Sequence, residues 1–190
     1  MRLYNHARQR LYINAEERQR FLRAAYAAAP QVQSLCLTLL FTGCRISEAL
    51  ALTASAIQPA AQTITFETLK RRKPGVFREV PVPTSLVTHL EEVHALVTAA
   101  ANAPLWTHEH RALNRVTAYR WIKAVMASAD ITGAQACPKG LRHGYGIHAI
   151  KCGVPLNMLQ KWLGHASMST TAIYTNALGA DELAIAERMW

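Results

Sequence analysis

One β signal interrupts an otherwise helical pattern, and it confines the fold to a mainly α domain with a small antiparallel sheet. Thr63-Ile64-Thr65-Phe66-Glu67-Thr68-Leu69 alternates and is rich in β-branched residues, which predicts a strand. Residues 76–82 form its natural partner. Between them lies Lys70-Arg71-Arg72-Lys73-Pro74-Gly75, which reads as a cationic hairpin tip.

Helices are expected on both sides. Asn14-Ala15-Glu16-Glu17 reads as a helix start, with Asn14 as cap and the carboxylates at the positive end of the dipole. That helix is expected to run to about Ala29 and stop before Pro30. Residues 32–42 are apolar all round, which predicts a buried helix, broken by Gly43 and followed by a short helix from Ile46. Further helices are expected over 85–101, 112–129, 141–152, 155–163, 168–175 and 181–189. No repeat or low-complexity linker divides the chain. The expectation is a basic arm over 1–11, carrying Arg2, Arg8 and Arg10, and one domain over 12–190.

Composition narrows the partners. Lys and Arg total 21 against 12 acidic residues, giving +9 with neutral histidines. That excess favours a polyanion, most commonly nucleic acid, with a solvated basic surface as the alternative. The longest apolar run, 95–101, is too short to span a bilayer, and the N-terminus lacks the apolar stretch of a signal peptide. Cys36, Cys44, Cys137 and Cys152 show no C-x-x-C spacing, so they are expected as reduced thiols of a cytoplasmic protein, neither metal site nor disulfide frame.

The last third carries Lys139-Gly140-Leu141-Arg142-His143, then Leu163-Gly164-His165, then Tyr174; Arg45 lies upstream in Thr42-Gly43-Cys44-Arg45-Ile46-Ser47-Glu48. Arginine in apolar surroundings is expensive unless it binds an anion. Together these groups suit metal-free cleavage of a phosphodiester. The Tyr174 phenol attacks phosphorus, Arg45 and Arg142 clamp the non-bridging oxygens, and His165 donates to one of them. A hairpin lysine, Lys70 or Lys73, protonates the leaving oxygen; Lys139 touches the same phosphate or helps move the tyrosine proton. Taken singly, each has a plainer reading. Arg45 can pair with Glu48, His165 can serve a turn, and Tyr26, Tyr119 and Tyr145 are expected to pack. Residues 112–129, with Arg115, Arg120 and Lys123 and with Arg111 just before, form either a major-groove helix or an ordinary basic face.

In this order, the residues resemble the catalytic domain of tyrosine recombinases, the family of phage integrases, Xer-type resolvases and fimbrial-switch invertases. The specific segments are Thr-Gly-Cys-Arg45-Ile-Ser-Glu48-Ala-Leu, Lys139-Gly-Leu-Arg142-His143, and Leu-Gly-His165 followed by Ser-Thr-Thr-Ala-Ile-Tyr174-Thr. The resemblance covers nearly the whole chain and favours Lys70 over Lys73, because Lys70 ends the strand. It implies a site-specific recombinase that cleaves and rejoins double-stranded DNA through a 3′-phosphotyrosyl link, for inversion, excision or integration. It implies no cofactor and no metal. It also implies a homotetramer on DNA, a nucleoid-associated location, and the last helix docking on a neighbouring protomer. The chain departs from the family pattern in having Lys139 where histidine is commoner. No separate core-binding domain is expected before the catalytic one, so accessory DNA-bending proteins or flanking protomers are expected to compensate. A DNA-binding regulator or directionality partner without catalysis, and an enzyme like a type IB topoisomerase, are the alternatives.

Overall fold

The computed structural model describes residues 2–68, 75–176, 182–183 and 186–189. Residues 69–74 of the hairpin tip, with Lys70 and Lys73, lie outside them, as do Trp190 and residues 181, 184 and 185 of the helix expected at 181–189.

Helix α1 (Ala15–Tyr26) begins where its cap predicts. Asn14 accepts the Glu17 N–H at 2.8 Å, and the Glu17 carboxylate accepts the Asn14 N–H at 2.9 Å. Helix α2 (Pro30–Thr42) includes Pro30, which the sequence had placed outside it; a proline in the first turn gives up only an N–H that has no helical partner. Its residues from Ser34 to Leu40 are buried, as an all-round apolar pattern requires. Gly43 ends α2 in the left-handed region at φ 61, and a Cβ there would lie 2.5 Å from Tyr145 Cδ1. The chain turns sharply into α3 (Ile46–Leu50).

The sheet has three strands in the order β1 (Ile57–Gln58), β2 (Thr63–Glu67) and β3 (Phe77–Pro81), all antiparallel. Ile64 pairs with Val80 and Phe66 with Arg78, and all four side chains are buried. β1 was not expected, because two residues are too few to show alternation. The same holds for β4 (Thr107–His108) and β5 (Arg111–Ala112), a second small ladder. That ladder delays the following helix, α5 (Arg115–Ser128), whose cap Asn114 accepts the Thr117 N–H at 2.9 Å.

Helix α4 (Thr84–His94) stops well short of residue 101, at Ala95 with φ 46. The chain leaves the helix there to pair with the segment after α3: Ser55 N–H donates to Ala101 O at 3.2 Å and Leu105 N–H to Leu52 O at 3.1 Å. Those tertiary hydrogen bonds override the helix preference of an alanine-rich run. Helix α6 (Pro138–Lys151) begins earlier than expected, so Lys139 and Arg142 stand on one helix. Helices α7 (Leu156–Leu163) and α8 (Met168–Ala172) follow, and a 3₁₀ turn, Ile173–Asn176, carries Tyr174.

Two apolar clusters result. The main core joins α1, α2, α4, α5 and the sheet; Leu3, Tyr12, Ile147, Leu159, Leu163 and Tyr174 belong to a smaller one around α6 and α7. The segment read as a basic arm folds back into this second cluster. Leu11 N–H donates to Leu3 O at 2.8 Å, and Arg10 donates to the Glu17 carboxylate, with Nη2 2.9 Å from Oε1. Arg2 and Arg8 remain exposed.

Candidate active site

Arg142 stands on the second turn of α6 and is 4 % exposed. Its Nη1 donates to Gly43 O and its Nη2 to Leu163 O, both at 2.7 Å. These carbonyls lie at the C-terminal ends of α2 and α7, where helix carbonyls lack intrahelical partners and the dipole favours a cation. Burial, with the nearby Arg45 charge, lowers the Arg142 pKa to about 10, which still leaves it charged at neutral pH. Its Nε is buried with no hydrogen-bond partner among the described residues.

Arg45 caps α3 and is half-buried. Glu48, one turn on and with its side chain fully buried, accepts from Arg45 Nη1 at 2.6 Å and from the Arg45 N–H at 2.9 Å. The pairing of Arg45 with Glu48 and a place for Arg45 on the site surface are therefore both true. Glu48 Oε2 also accepts from Arg78 Nη2 at 2.6 Å. Burial alone would raise the Glu48 pKa, but Arg78 and Arg45 together hold it below the ordinary carboxylate value. Arg78 lies over the Phe66 ring at 5.1 Å and donates from Nε to Trp162 O at 2.8 Å and from Nη1 to Thr68 Oγ1 at 3.1 Å.

Arg45, Lys139 and Arg142 line one cleft of about 490 Å³, together with Ser47, Arg115, Tyr119 and Cys137. Lys139 is exposed. Arg115 donates to Ser47 Oγ at 3.1 Å and adds a further cation. Tyr119 is 43 % exposed and Tyr26 50 %, so both are about half-buried, and Tyr145 packs against Gly43. Tyr119 stands one turn after Arg115 on α5, and that spacing was the available signal for its place in the cleft.

His165 lines a second groove of about 280 Å³ with Thr68, Arg78 and Lys161. It follows Gly164, which ends α7 at φ 65. His165 Nδ1 and Thr171 Oγ1 share a hydrogen bond at 2.8 Å, while Nε2 is buried with no partner among the described residues. Burial and the Arg142 and Arg45 charges push the His165 pKa down to about 3, so the ring is neutral at physiological pH.

Tyr174 is 0 % exposed and opens onto neither surface. Its ring stacks on His165 at a centroid distance of 6.3 Å, and its hydroxyl shares a 3.3 Å hydrogen bond with His143 Nδ1. Burial raises the Tyr174 pKa to about 12 against the opposing pull of Arg142 and Arg45. A phenol with no accessible surface cannot touch a phosphate outside, so any attack from Tyr174 requires the 3₁₀ turn to move. The structure thus joins Arg45, Lys139 and Arg142 in one cleft and sets His165 on a neighbouring groove. It stores Tyr174 behind them, and Lys70 lies outside the described residues. Arg78, His143 and Thr171 escaped the sequence reading. Arg78 alone left a signal, two residues before Val80 on the inward face of β3. Among the described residues no group of three or more His, Cys, Asp or Glu side chains is placed to hold a metal ion, and no helix is long and apolar enough to cross a membrane.

Comparison with known proteins agrees with this geometry. The sequence profile of the Phage integrase family matches residues 11–180. A resolvase of Escherichia coli is 28 % identical over 195 residues, covering 82 % of this chain and 75 % of that protein. Tyrosine recombinase XerA of Pyrococcus furiosus is 31 % identical over 150 residues, covering 74 % of this chain and 48 % of XerA. In structure, the chain matches the crystal structure of XerA recombinase with a TM-score of 0.81 at 24 % identity, over 94 % of this chain and 64 % of that one. XerH site-specific recombinase, in its pre-cleavage complex with difH substrate, matches with a TM-score of 0.76 at 20 % identity, over 98 % of this chain and 59 % of XerH. This chain therefore spans only part of the Xer relatives. A profile match over most of its length, a shared fold and an arginine-lined cleft on α3 and α6 converge: the chain belongs to the phage integrase family and has the catalytic-domain fold of a tyrosine recombinase.

Proposed function

We propose that this chain is a site-specific DNA recombinase that cleaves and rejoins duplex DNA through a covalent link to Tyr174. One observation carries the reading. A buried arginine, fixed by two carbonyls, shares a cleft with a second arginine held by a buried carboxylate, and the tyrosine packs against Gly146 of α6, the helix that carries the buried arginine.

The cleft suits a phosphodiester. Arg45 and Arg142 turn their remaining guanidinium N–H donors to the non-bridging oxygens, whose charge grows in the transition state. Both are already oriented by protein groups, so little reorganisation remains at the moment of reaction. Neutral His165 donates one ring N–H to the same phosphate, and exposed Lys139 adds charge at the rim. The Tyr174 oxygen forms a bond to phosphorus as the bond to the 5′ oxygen breaks. The phenol passes its proton to solvent water, with Lys139 helping to move it, and Lys70 protonates the departing 5′ oxygen. The phosphotyrosyl ester keeps the bond energy, and a 5′ hydroxyl from a second site reverses the step. DNA as the partner is supported by the net charge of +9 and by fold neighbours such as the Tn1549 transposon integrase, solved in complex with transposon right end DNA. A tetramer of this chain on two sites, with accessory DNA-bending proteins, is the assembly that completes the exchange.

The test is covalent capture. Fragmented genomic DNA of the source organism is incubated with the chain, denatured, and the protein-linked DNA sequenced. Wild type is expected to enrich a discrete site and Tyr174→Phe to enrich none. Equal covalent recovery from both proteins removes Tyr174 as nucleophile, and no recovery from either leaves a DNA-binding protein without strand cleavage.

A further inference from the structure

We propose that Arg78 is a positioning residue for the phosphate clamp, acting on Arg45 through Glu48. The inference rests on the reading of the cleft as a phosphodiester site and adds a residue to it.

Arg78 occupies a core-facing position on β3, opposite Phe66, where an apolar side chain would cost less than a buried charge. Its stabilising value is therefore not the reason for its presence; its geometry is. Its fork reaches three elements at once: Thr68 at the end of β2, Glu48 on α3, and the Trp162 carbonyl at the end of α7. The next carbonyl, Leu163, is the one that anchors Arg142. Gly164 then passes so close that a Cβ there would sit 3.1 Å from Arg78 Nη1, and His165 follows. One guanidinium thus touches the seats of Arg45, Arg142 and His165.

The division of the Glu48 carboxylate is the decisive feature. Oε2 accepts from Arg78 Nη2 and from the Arg45 backbone N–H, while Oε1 takes the Arg45 guanidinium through Nη1. With Arg78 in place, Arg45 holds one oxygen by one Nη and keeps donors for a ligand. With Arg78 gone, Oε2 has room for a second donor from the Arg45 guanidinium beside its backbone N–H bond, completing the fork–fork geometry arginine prefers. Arg45 would then turn onto Glu48 and away from the cleft. A lysine at position 78 restores the charge but not the fork, so it cannot reach three elements.

The experiment compares Arg78→Lys with wild type on a nicked duplex carrying the captured site. Thermal unfolding and DNA affinity are expected to change little, while single-turnover adduct formation slows by roughly tenfold or more. Added to Arg45→Ala, the same substitution is expected to slow the reaction by less than about threefold, because a residue that acts through Arg45 has nothing left to position. Adduct formation by Arg78→Lys at the wild-type rate, or deficits that multiply in the double variant, overturns the proposal. If Arg78→Lys melts below the assay temperature, Arg78→Gln takes its place with the same outcomes. Orthophosphate binding, read by phosphorus NMR, gives an arm independent of catalysis. Arg78→Lys is expected to weaken it several-fold in wild type and to leave it unchanged in Arg45→Ala; undiminished binding sinks the proposal. A wild-type chain that never forms an adduct refutes the recombinase reading, and the phosphate arm still decides Arg78.

Discussion

A methyl group on Gly146 would lie 2.6 Å from Tyr174 Cζ. Alanine normally stabilises a helix interior by about 1 kcal/mol over glycine, but forcing atoms into a packed site costs about 1–3 kcal/mol. The clash should win. Gly146→Ala is expected to lower the thermal midpoint and to push the tyrosine outward, so that it reacts with an acylating reagent that spares it in wild type. Unchanged reactivity, mapped by mass spectrometry, would contradict the packing described. The cleft residues were legible at this scale because unpaired-looking arginines in apolar sequence announce an anion. Arg78 was less legible, because only its spacing from Val80 marks the inward face and its partners Glu48 and Trp162 lie on distant segments. The burial of Tyr174 was equally hidden, because it depends on Gly146 and His143, residues a helix apart in sequence.

Helix α6 gathers most of this chemistry by spacing alone: Lys139, His143 and Gly146 follow one another at helical intervals, with Arg142 alongside. Buried histidines, His143 on α6 among them, give the fold a pH dependence. His143 and His165 have pKa values pushed to about 3, and His94 to about 4, in each case chiefly by burial, against 6.5 for the free side chain. The unfolded chain therefore takes up protons first as pH falls. The stability these rings contribute is complete above about 6.5 and drains away toward their folded values, at roughly 1 kcal/mol per pH unit for each ring. Glu48 and Glu17, both held below 4.5, add to the loss only in more acid solution. Denaturant melts between pH 7 and pH 5 should therefore show falling stability, with a shallower slope in His143→Gln. The long elements could be read from periodicity; β1, β4 and β5 could not, being two residues each. The early end of α4 was invisible because its cause is a pairing with distant backbone.

Across the whole molecule the net charge of +9 makes affinity for DNA dependent on salt. Arg115 lies at the cleft with its guanidinium exposed beside Ser47. Arg115→Ala is expected to weaken binding by a similar factor on specific and random duplexes, and to lower the slope of log affinity against log salt by about 1. A loss confined to one sequence would instead mark a base-reading role. A different consequence follows from the smaller apolar cluster. Leu3 and Tyr12 share it with Tyr174, so the grip on the N-terminal turn and the grip on the phenol are one store of cohesion. Whatever peels the first residues from the body, whether a protease, a fusion tag or a neighbouring molecule, loosens the tyrosine without ever entering the cleft.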